Sequence, residues 1–250
     1  MDKKYALIFS LLLAGLIVSD VFIFNTLSGS SKPSLEKATV SRVIDGDTLK
    51  LEDGRTVRLL NINSPEKGTP NCNHSSDFLK QFENKSIEMD ITGTDKYKRT
   101  LARIYSGEDY LNLKLVQLGL ASKFLVDKNE LALFSEAEES AIRNAVGIWI
   151  HSKHFGCFES EIDKDEEFVF LENKCPQINL DKWMLKDESR KIYTFKNLSF
   201  ERIILHSPAG IDNSTDIFWN NKDNIWNSDR DTLYLFDSEG NIVHHESYGY

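Results

Sequence analysis

The sequence predicts an α+β unit built on a five-stranded barrel with three helices, followed by an all-β sandwich and preceded by an apolar N-terminal segment. Three observations carry this. Short β-rich runs separated by Asp-Gly turns fill the region after residue 37, with helical periodicity between and after them. Beyond His151 long helical patterns stop, and short strands recur at regular spacing. Ahead of both lies a run of apolar residues behind Lys3 and Lys4.

The chain has 250 residues, enough for one large or two modest domains, and a hydrophobic fraction of 40% supports packed cores. A net charge of −9 argues against coating of nucleic acid by bulk electrostatics, although a few basic residues can still line one cleft. The imbalance is uneven. Residues 36–150 carry about −2 and residues 151–250 about −8, so the front half is the place to look for a polyanion site.

Residues 1–27 read as an export signal, apolar from Tyr5 to Val18 and again after Asp20. The run reaches bilayer-spanning length if Asp20 is tolerated near its outer end. No small-x-small cleavage pattern follows, which favours an uncleaved transmembrane signal anchor over a removed signal peptide. A buried core helix is the third reading, and the lack of a polar face counts against it. The lysines favour an N-terminus inside and the bulk of the chain outside. The expected location is therefore the cell membrane with extracellular domains, or secretion if the signal is cut. Residues 28–36, rich in Ser and carrying Gly29 and Pro33, form a linker.

In the domain at 37–150, strands are expected at 38–44, 48–51 and 56–62, separated by the turns Asp45-Gly46-Asp47 and Asp53-Gly54. Pro65 ends the third, because it has no N–H for a ladder. Ser75 or Ser76 can cap a helix to about residue 84, with Phe78, Leu79 and Phe82 on one face. Strands follow at 86–91 and 101–105, then helices at 110–118 and 130–149, the first stopped by Gly119. Five strands interleaved with helices suit an OB-type barrel. The boundary falls at 150–160. Strands are then expected at 167–171, 183–186, 192–195, 202–206, 231–236 and 242–245 of a sandwich domain spanning 158–250.

Three cysteines allow one disulfide with a thiol left over. Cys157 and Cys175 flank an expected strand, and export would permit a bridge between them; that bridge and three free thiols both remain open. His151, His154, His244 and His245 read as structural or surface residues, and residues 229–231 as a polar start to a strand.

Chemistry is concentrated between Asp45 and Glu66. Asp45 and Asp47 share a glycine turn and can face one cation, and Asn63, Ser64 and Glu66 add hard oxygens just after a strand. Arg58 and Arg99 each offer a planar fork for phosphate. Metal, carboxylate and two arginines suffice for phosphodiester hydrolysis. Each motif alone is weak, since Asp-Gly-Asp is a common solvated turn.

Together, Val43-Ile-Asp-Gly-Asp-Thr48, Val57-Arg-Leu-Leu-Asn-Ile-Asn-Ser-Pro-Glu66, Asp95-Lys-Tyr-Lys-Arg-Thr-Leu-Ala102, Leu115-Val-Gln-Leu-Gly-Leu-Ala121 and Gly147-Ile-Trp149 resemble the thermonuclease (staphylococcal nuclease) family in order and spacing. The resemblance implies an OB-fold endonuclease using Ca²⁺ to cut DNA or RNA and leave 3′-phosphate ends. It implies Asp47, Asn63 and Ser64 as metal ligands with Asp45 behind them, Glu66 as the residue activating water, and Arg58 and Arg99 as phosphate clamps. Tyr97 and Lys98 would lie beside the nucleotide. Asn63 stands where the family usually has aspartate, implying weaker Ca²⁺ binding, and a millimolar affinity would suit an extracellular protein. Lys98 stands where glycine is common. Residues 160–250, above all the stretch from Trp226 to Asn241, resemble the lamin-tail domain. That resemblance implies an immunoglobulin-like sandwich, with Trp183 and Trp226 in its core and no catalytic set. Nucleic acid and membrane are the expected partners, and no protein partner is expected. The alternative is a catalytically silent nucleic-acid-binding or envelope adhesion protein.

Overall fold

The structure, a computed structural model, describes residues 35–65 and 72–250. The expected signal segment at 1–27 therefore lies outside the described residues, as does Glu66. Among the described residues no helix is long and apolar enough to cross a membrane.

Strands β1 (Glu36–Asp45), β2 (Thr48–Leu51) and β3 (Thr56–Leu59) form a meander. After β4 (Ile62–Asn63) and helix α1 (Cys72–Lys80) come β5 (Ser86–Thr94), β6 (Thr100–Ser106) and the short β7 (Asp109–Tyr110). The sheet order is β3-β2-β1-β5-β6-β7, and a parallel β3–β6 pairing joins the ends of the five long strands. That closure makes the expected five-stranded barrel and removes its sheet edges. Helices α2 (Leu111–Gln117) and α3 (Leu131–Arg143) complete the set of three helices, with β8 (Ser122–Lys123) pairing back to β4. Val40, Leu49, Val57, Leu59, Met89, Ile104 and Leu115 are wholly inaccessible and form the barrel core with their neighbours.

Several boundaries differ from the sequence reading. The expected strand 56–62 breaks because Asn61 takes a left-handed conformation, φ 67°, which splits off β4. Helix α1 begins before Ser75, whose hydroxyl donates to Leu120 O instead of capping. The expected helix at 130–149 ends at Arg143, since Ala145 adopts φ 52°. A single 3-10 turn, Gly147–Trp149, follows. Gly147 and Gly119 let two backbones touch there: a Cβ on Gly147 would lie 2.0 Å from Gly119 O.

The second half is two four-stranded sheets. One contains β9 (Phe158–Asp163), β10 (Phe168–Asn173), β13 (Arg202–His206) and β14 (Asp216–Phe218). The other contains β11 (Met184–Lys186), β12 (Ile192–Thr194), β15 (Asp231–Phe236) and β16 (Ile242–Tyr248). Inward residues of both sheets, including Leu171, Leu205, Leu185 and Leu235, share one core with Trp183 and Trp226. This arrangement is compatible with an immunoglobulin-like sandwich. A disulfide joins Cys157 and Cys175, with Cα atoms 5.3 Å apart.

Barrel and sandwich are continuous. Ala141, Ile142 and Trp149 pack with Tyr234, Phe236 and Ile242 in a third apolar cluster. Beside it Lys123, 1% exposed, donates from Nζ to Glu138 Oε2 at 2.6 Å and to Ser247 Oγ at 3.1 Å. The Tyr234 hydroxyl donates to both Glu138 oxygens, at 3.1 and 3.2 Å. A buried ion pair is stable only when its remaining hydrogen-bonding capacity is met, and here the sandwich meets it.

His244 gives the fold a pH dependence. Its Nε2 lies 2.9 Å from Ser160 Oγ, and burial, followed by the nearby His245, pulls the imidazole down to about 4. The unfolded chain protonates near 6.5, so the stability tied to neutral His244 is complete above that pH and is lost as pH falls toward 4. Urea unfolding should show a loss of about 2 kcal/mol from this group across that window, and His244→Gln should flatten the slope. Equal slopes in the two proteins would contradict this.

Candidate phosphodiesterase site

The site begins with a turn only glycine can make. A Cβ on Gly46 would lie 2.5 Å from Ser75 Cβ and 2.6 Å from Ser64 Cβ. This close approach brings Asp47 against the end of β4. Strand register does the rest, pairing Thr48 with Arg58, while Leu59 N donates to Asp47 O at 2.9 Å.

Asp47 is 3% exposed, and its carboxylate is surrounded by donors. Arg58 Nε lies 3.2 Å from Oδ1, and Thr48 Oγ1 donates to Oδ1 at 3.1 Å. The Ser64 N–H and hydroxyl donate to Oδ2 at 3.0 and 3.1 Å. Burial pushes the Asp47 carboxyl up, but Arg58, the Ser64 N–H and Arg190 together hold it below its ordinary value. Asp45, which accepts from Asp47 N at 3.1 Å, shifts the other way: burial and then the Asp47 charge raise it.

Arg58 is fixed along its length. Nη1 donates to Leu59 O, and Nη2 donates to Ile62 O at 2.7 Å and Asn63 Oδ1 at 2.6 Å. Burial lowers its pKa, Asp47 opposes that, and the Arg190 and Arg99 charges lower it further. Arg58 therefore feels the charge of two further guanidinium groups at this rim. Arg99 lies on the loop before β6, where its Nε donates to Asp95 Oδ2 at 2.7 Å. The Asp95 side chain also accepts from the backbone N–H groups of Tyr97 and Arg99, both at 2.9 Å. Tyr97 is 69% exposed with the Arg99 guanidinium 5.5 Å from its ring centre. Lys98 holds φ 63°, the conformation that glycine would adopt more easily.

The structure thus brings Asp45, Asp47, Arg58, Asn63 and Ser64 together, with Tyr97, Lys98 and Arg99 on a neighbouring loop; Glu66 lies outside the described residues. Among the described residues, no three His, Cys, Asp or Glu side chains gather around a metal position. The oxygen set consists of two aspartates, an amide and a carbonyl. Its donor chemistry suits a hard cation: Asp47 Oδ2 and Ser64 O both converge on one positively charged nitrogen, Arg190 Nη2, at 2.9 and 3.0 Å.

The sequence shows no catalytic set in the sandwich and leaves its role open; the structure places one of its residues, Arg190, against the site oxygens. This arginine lies between β11 and β12 with φ 78°. The same loop supplies Glu188, whose carbonyl accepts from Asn63 Nδ2 at 2.9 Å. Burial, with Asp231 nearby, pushes the Glu188 carboxyl up to about 7 against the lowering effect of the Tyr250 hydroxyl. Sequence reasoning missed this loop because Lys186-Asp-Glu-Ser-Arg190 reads as an ordinary polar turn, with no spacing that ties it to residue 47.

A buried, cation-seeking oxygen cluster beside paired arginines on a closed barrel defines a hydrolase that handles phosphate diesters. A family model described as staphylococcal nuclease homologue matches residues 56–151. A thermonuclease of Staphylococcus intermedius is 34% identical over 158 residues, covering 56% of this chain and 94% of the relative. An uncharacterized endonuclease of Haemophilus influenzae is 33% identical over 144 residues, covering 54% and 77%. A thermonuclease of Staphylococcus hyicus is 34% identical over 106 residues, covering 38% and 63%. The chain belongs to the staphylococcal nuclease homologue family and is a nuclease of the micrococcal type, a hydrolase.

Gly46→Ala should destabilise the fold by about 2 kcal/mol or more, because Ser64 and Ser75 must retreat from the new methyl. A urea midpoint equal to that of the unsubstituted protein would contradict the packing described.

Proposed function

We propose that this chain is an exported, membrane-tethered, Ca²⁺-dependent nuclease that hydrolyses DNA or RNA to 3′-phosphate products. The observation that carries the reading is the Asp47 carboxylate, buried between Arg58 and the Ser64 backbone, in a chain of this family. Export and tethering rest on the apolar stretch behind Lys3 and Lys4 in residues 1–27, with 37–150 as the nuclease domain and 158–250 as a lamin-tail-like domain.

Asp47, Ser64 through its carbonyl, and Asn63 would hold the cation, with Asp45 supporting Asp47. When bound, Ca²⁺ neutralises phosphate charge and polarises the phosphoryl group. Arg58 is held rigid by three backbone or amide oxygens, so its charge is oriented before substrate arrives. Arg99 stands on the more open loop and can follow the charge that develops on the phosphate oxygens. Glu66 takes the role of orienting and deprotonating the attacking water. As the water oxygen bonds to phosphorus, the bond to the 5′ oxygen breaks and the phosphate stays on the 3′ side. The exposed Tyr97 ring offers a face to sugar or base, and Lys98 adds a charge for the backbone.

A second reading is a silent nucleic-acid binder or envelope adhesion protein, and the Arg190 contact with Asp47 favours it specifically. Cleavage separates the two. The full-length protein should cut single-stranded DNA or RNA in millimolar Ca²⁺ and stop in EGTA. Glu66→Gln and Arg99→Ala should each lower the rate by about 10²-fold or more. A folded protein that cuts neither polymer across a wide range of Ca²⁺ and pH would overturn the nuclease mechanism in favour of binding alone.

A further inference from the structure

Arg190 comes from the sandwich, yet its partners are barrel oxygens of the site. Nη2 reaches Asp47 Oδ2 at 2.9 Å and Ser64 O at 3.0 Å. These are the two oxygens that a divalent cation would take, and a guanidinium satisfies both electrostatically. One side of this contact is set by the left-handed backbone at Arg190 itself. Non-glycine residues adopt that conformation only where surrounding structure holds them in it.

A second observation points the same way without involving Arg190. Asn63 uses both ends of its amide: Oδ1 accepts from Arg58 Nη2 at 2.6 Å, and Nδ2 donates to Glu188 O at 2.9 Å. A carboxylate at 63 would turn an oxygen toward the Glu188 carbonyl, with no proton between them. The neutral residue at this position is therefore what the docked 188–190 loop requires. The amide at 63 gives the oxygen set no negative charge of its own, and the seated loop adds one positive charge to that set. Each feature weakens the hold on a second cation.

The loop is also anchored behind the site. Glu188 N donates to Asp231 Oδ1 at 3.2 Å, and Asp187 Oδ1 accepts from Lys191 N at 2.7 Å. The guanidinium is thus presented to the site by a held loop and does not reach it as a free surface side chain.

We propose that Arg190 is a tethered cation that competes with the divalent metal for Asp47 and the Ser64 carbonyl, so that the sandwich half sets the calcium requirement of the barrel half. This rests on the metal-dependent reading above, and it assigns to the C-terminal half a role in the reaction as the positioning element of a built-in competitor. A metal ion arriving at the site must displace the guanidinium from both oxygens. Low calcium leaves the site closed by its own chain, and high calcium opens it.

The test is calorimetric titration of Ca²⁺ into the full-length protein and its Arg190→Gln, Arg190→Ala and Arg190→Lys variants, without nucleic acid. Arg190→Gln and Arg190→Ala should bind Ca²⁺ at least about tenfold more tightly. Arg190→Lys, which keeps the charge, should stay closer to the starting affinity. The calcium-induced rise in Tm should be larger in the two neutral variants, a second readout that serves if one of them folds poorly. Affinities within twofold of one another in all four proteins would overturn the proposal, as would absence of Ca²⁺ binding to every one of them in folded form. Cleavage by the unsubstituted protein is scored separately, so failure of the nuclease mechanism and failure of the competition are read from different measurements.

Discussion

A carboxylate that is 3% exposed must either find positive and hydrogen-bonding partners or take up a proton, and Asp47 finds partners from three directions. Arg58 arrives from β3, Ser64 from the end of β4, and Arg190 from the sandwich. Each arrival imposes a constraint on the chain. The Arg58 approach needs the β2–β3 register that sets Thr48 opposite Arg58. The Ser64 approach needs the left-handed turn at Asn61, without which β3 would run straight on and miss the Asp47 turn. The close passage of residues 46, 64 and 75 needs a glycine. The barrel positions the site because its closure fixes these separations in a rigid frame.

The third arrival requires the sandwich to dock in one orientation. Apolar packing around Trp149, Tyr234 and Phe236 supplies attraction without direction. Direction comes from the buried polar groups next to it. Lys123 and Glu138 are each 1% exposed and are completed by Ser247 and Tyr234 from the other half. Any slip of the interface would leave part of that set unpaired in a dry environment, at a cost of several kcal/mol. The same docking seats residues 188–190 against Asn63 and Asp47. The sandwich is therefore part of the wall of the candidate site.

Much of this was legible in the sequence. Turn chemistry at 45–47 and 53–54, β-branched runs, and helical spacing after residue 110 specify the barrel, because these signals depend on neighbours within a few residues. The motif residues Asp47, Arg58, Asn63 and Ser64 also fall together in space. What stayed hidden is of two kinds. Strand β9 was missed because Phe158 and Ile162 are its only apolar positions, and β14 because three residues in a parallel pairing leave no period to read. Arg190 was missed for a different reason. Its role depends on two loops 143 residues apart meeting across an interface, and local pattern carries no trace of that meeting.

The most direct test of this account is a double-mutant cycle between Asp47 and Arg190. Thermal unfolding would be measured in EGTA for the full-length protein, Asp47→Asn, Arg190→Gln and the double variant. If the sandwich supplies one of the partners that keep Asp47 ionised and buried, the two substitutions should be coupled by about 1–3 kcal/mol, the double variant losing less than the sum of the singles. Strictly additive losses would contradict it, and would leave the Asp47 carboxylate to Arg58 and Ser64 alone.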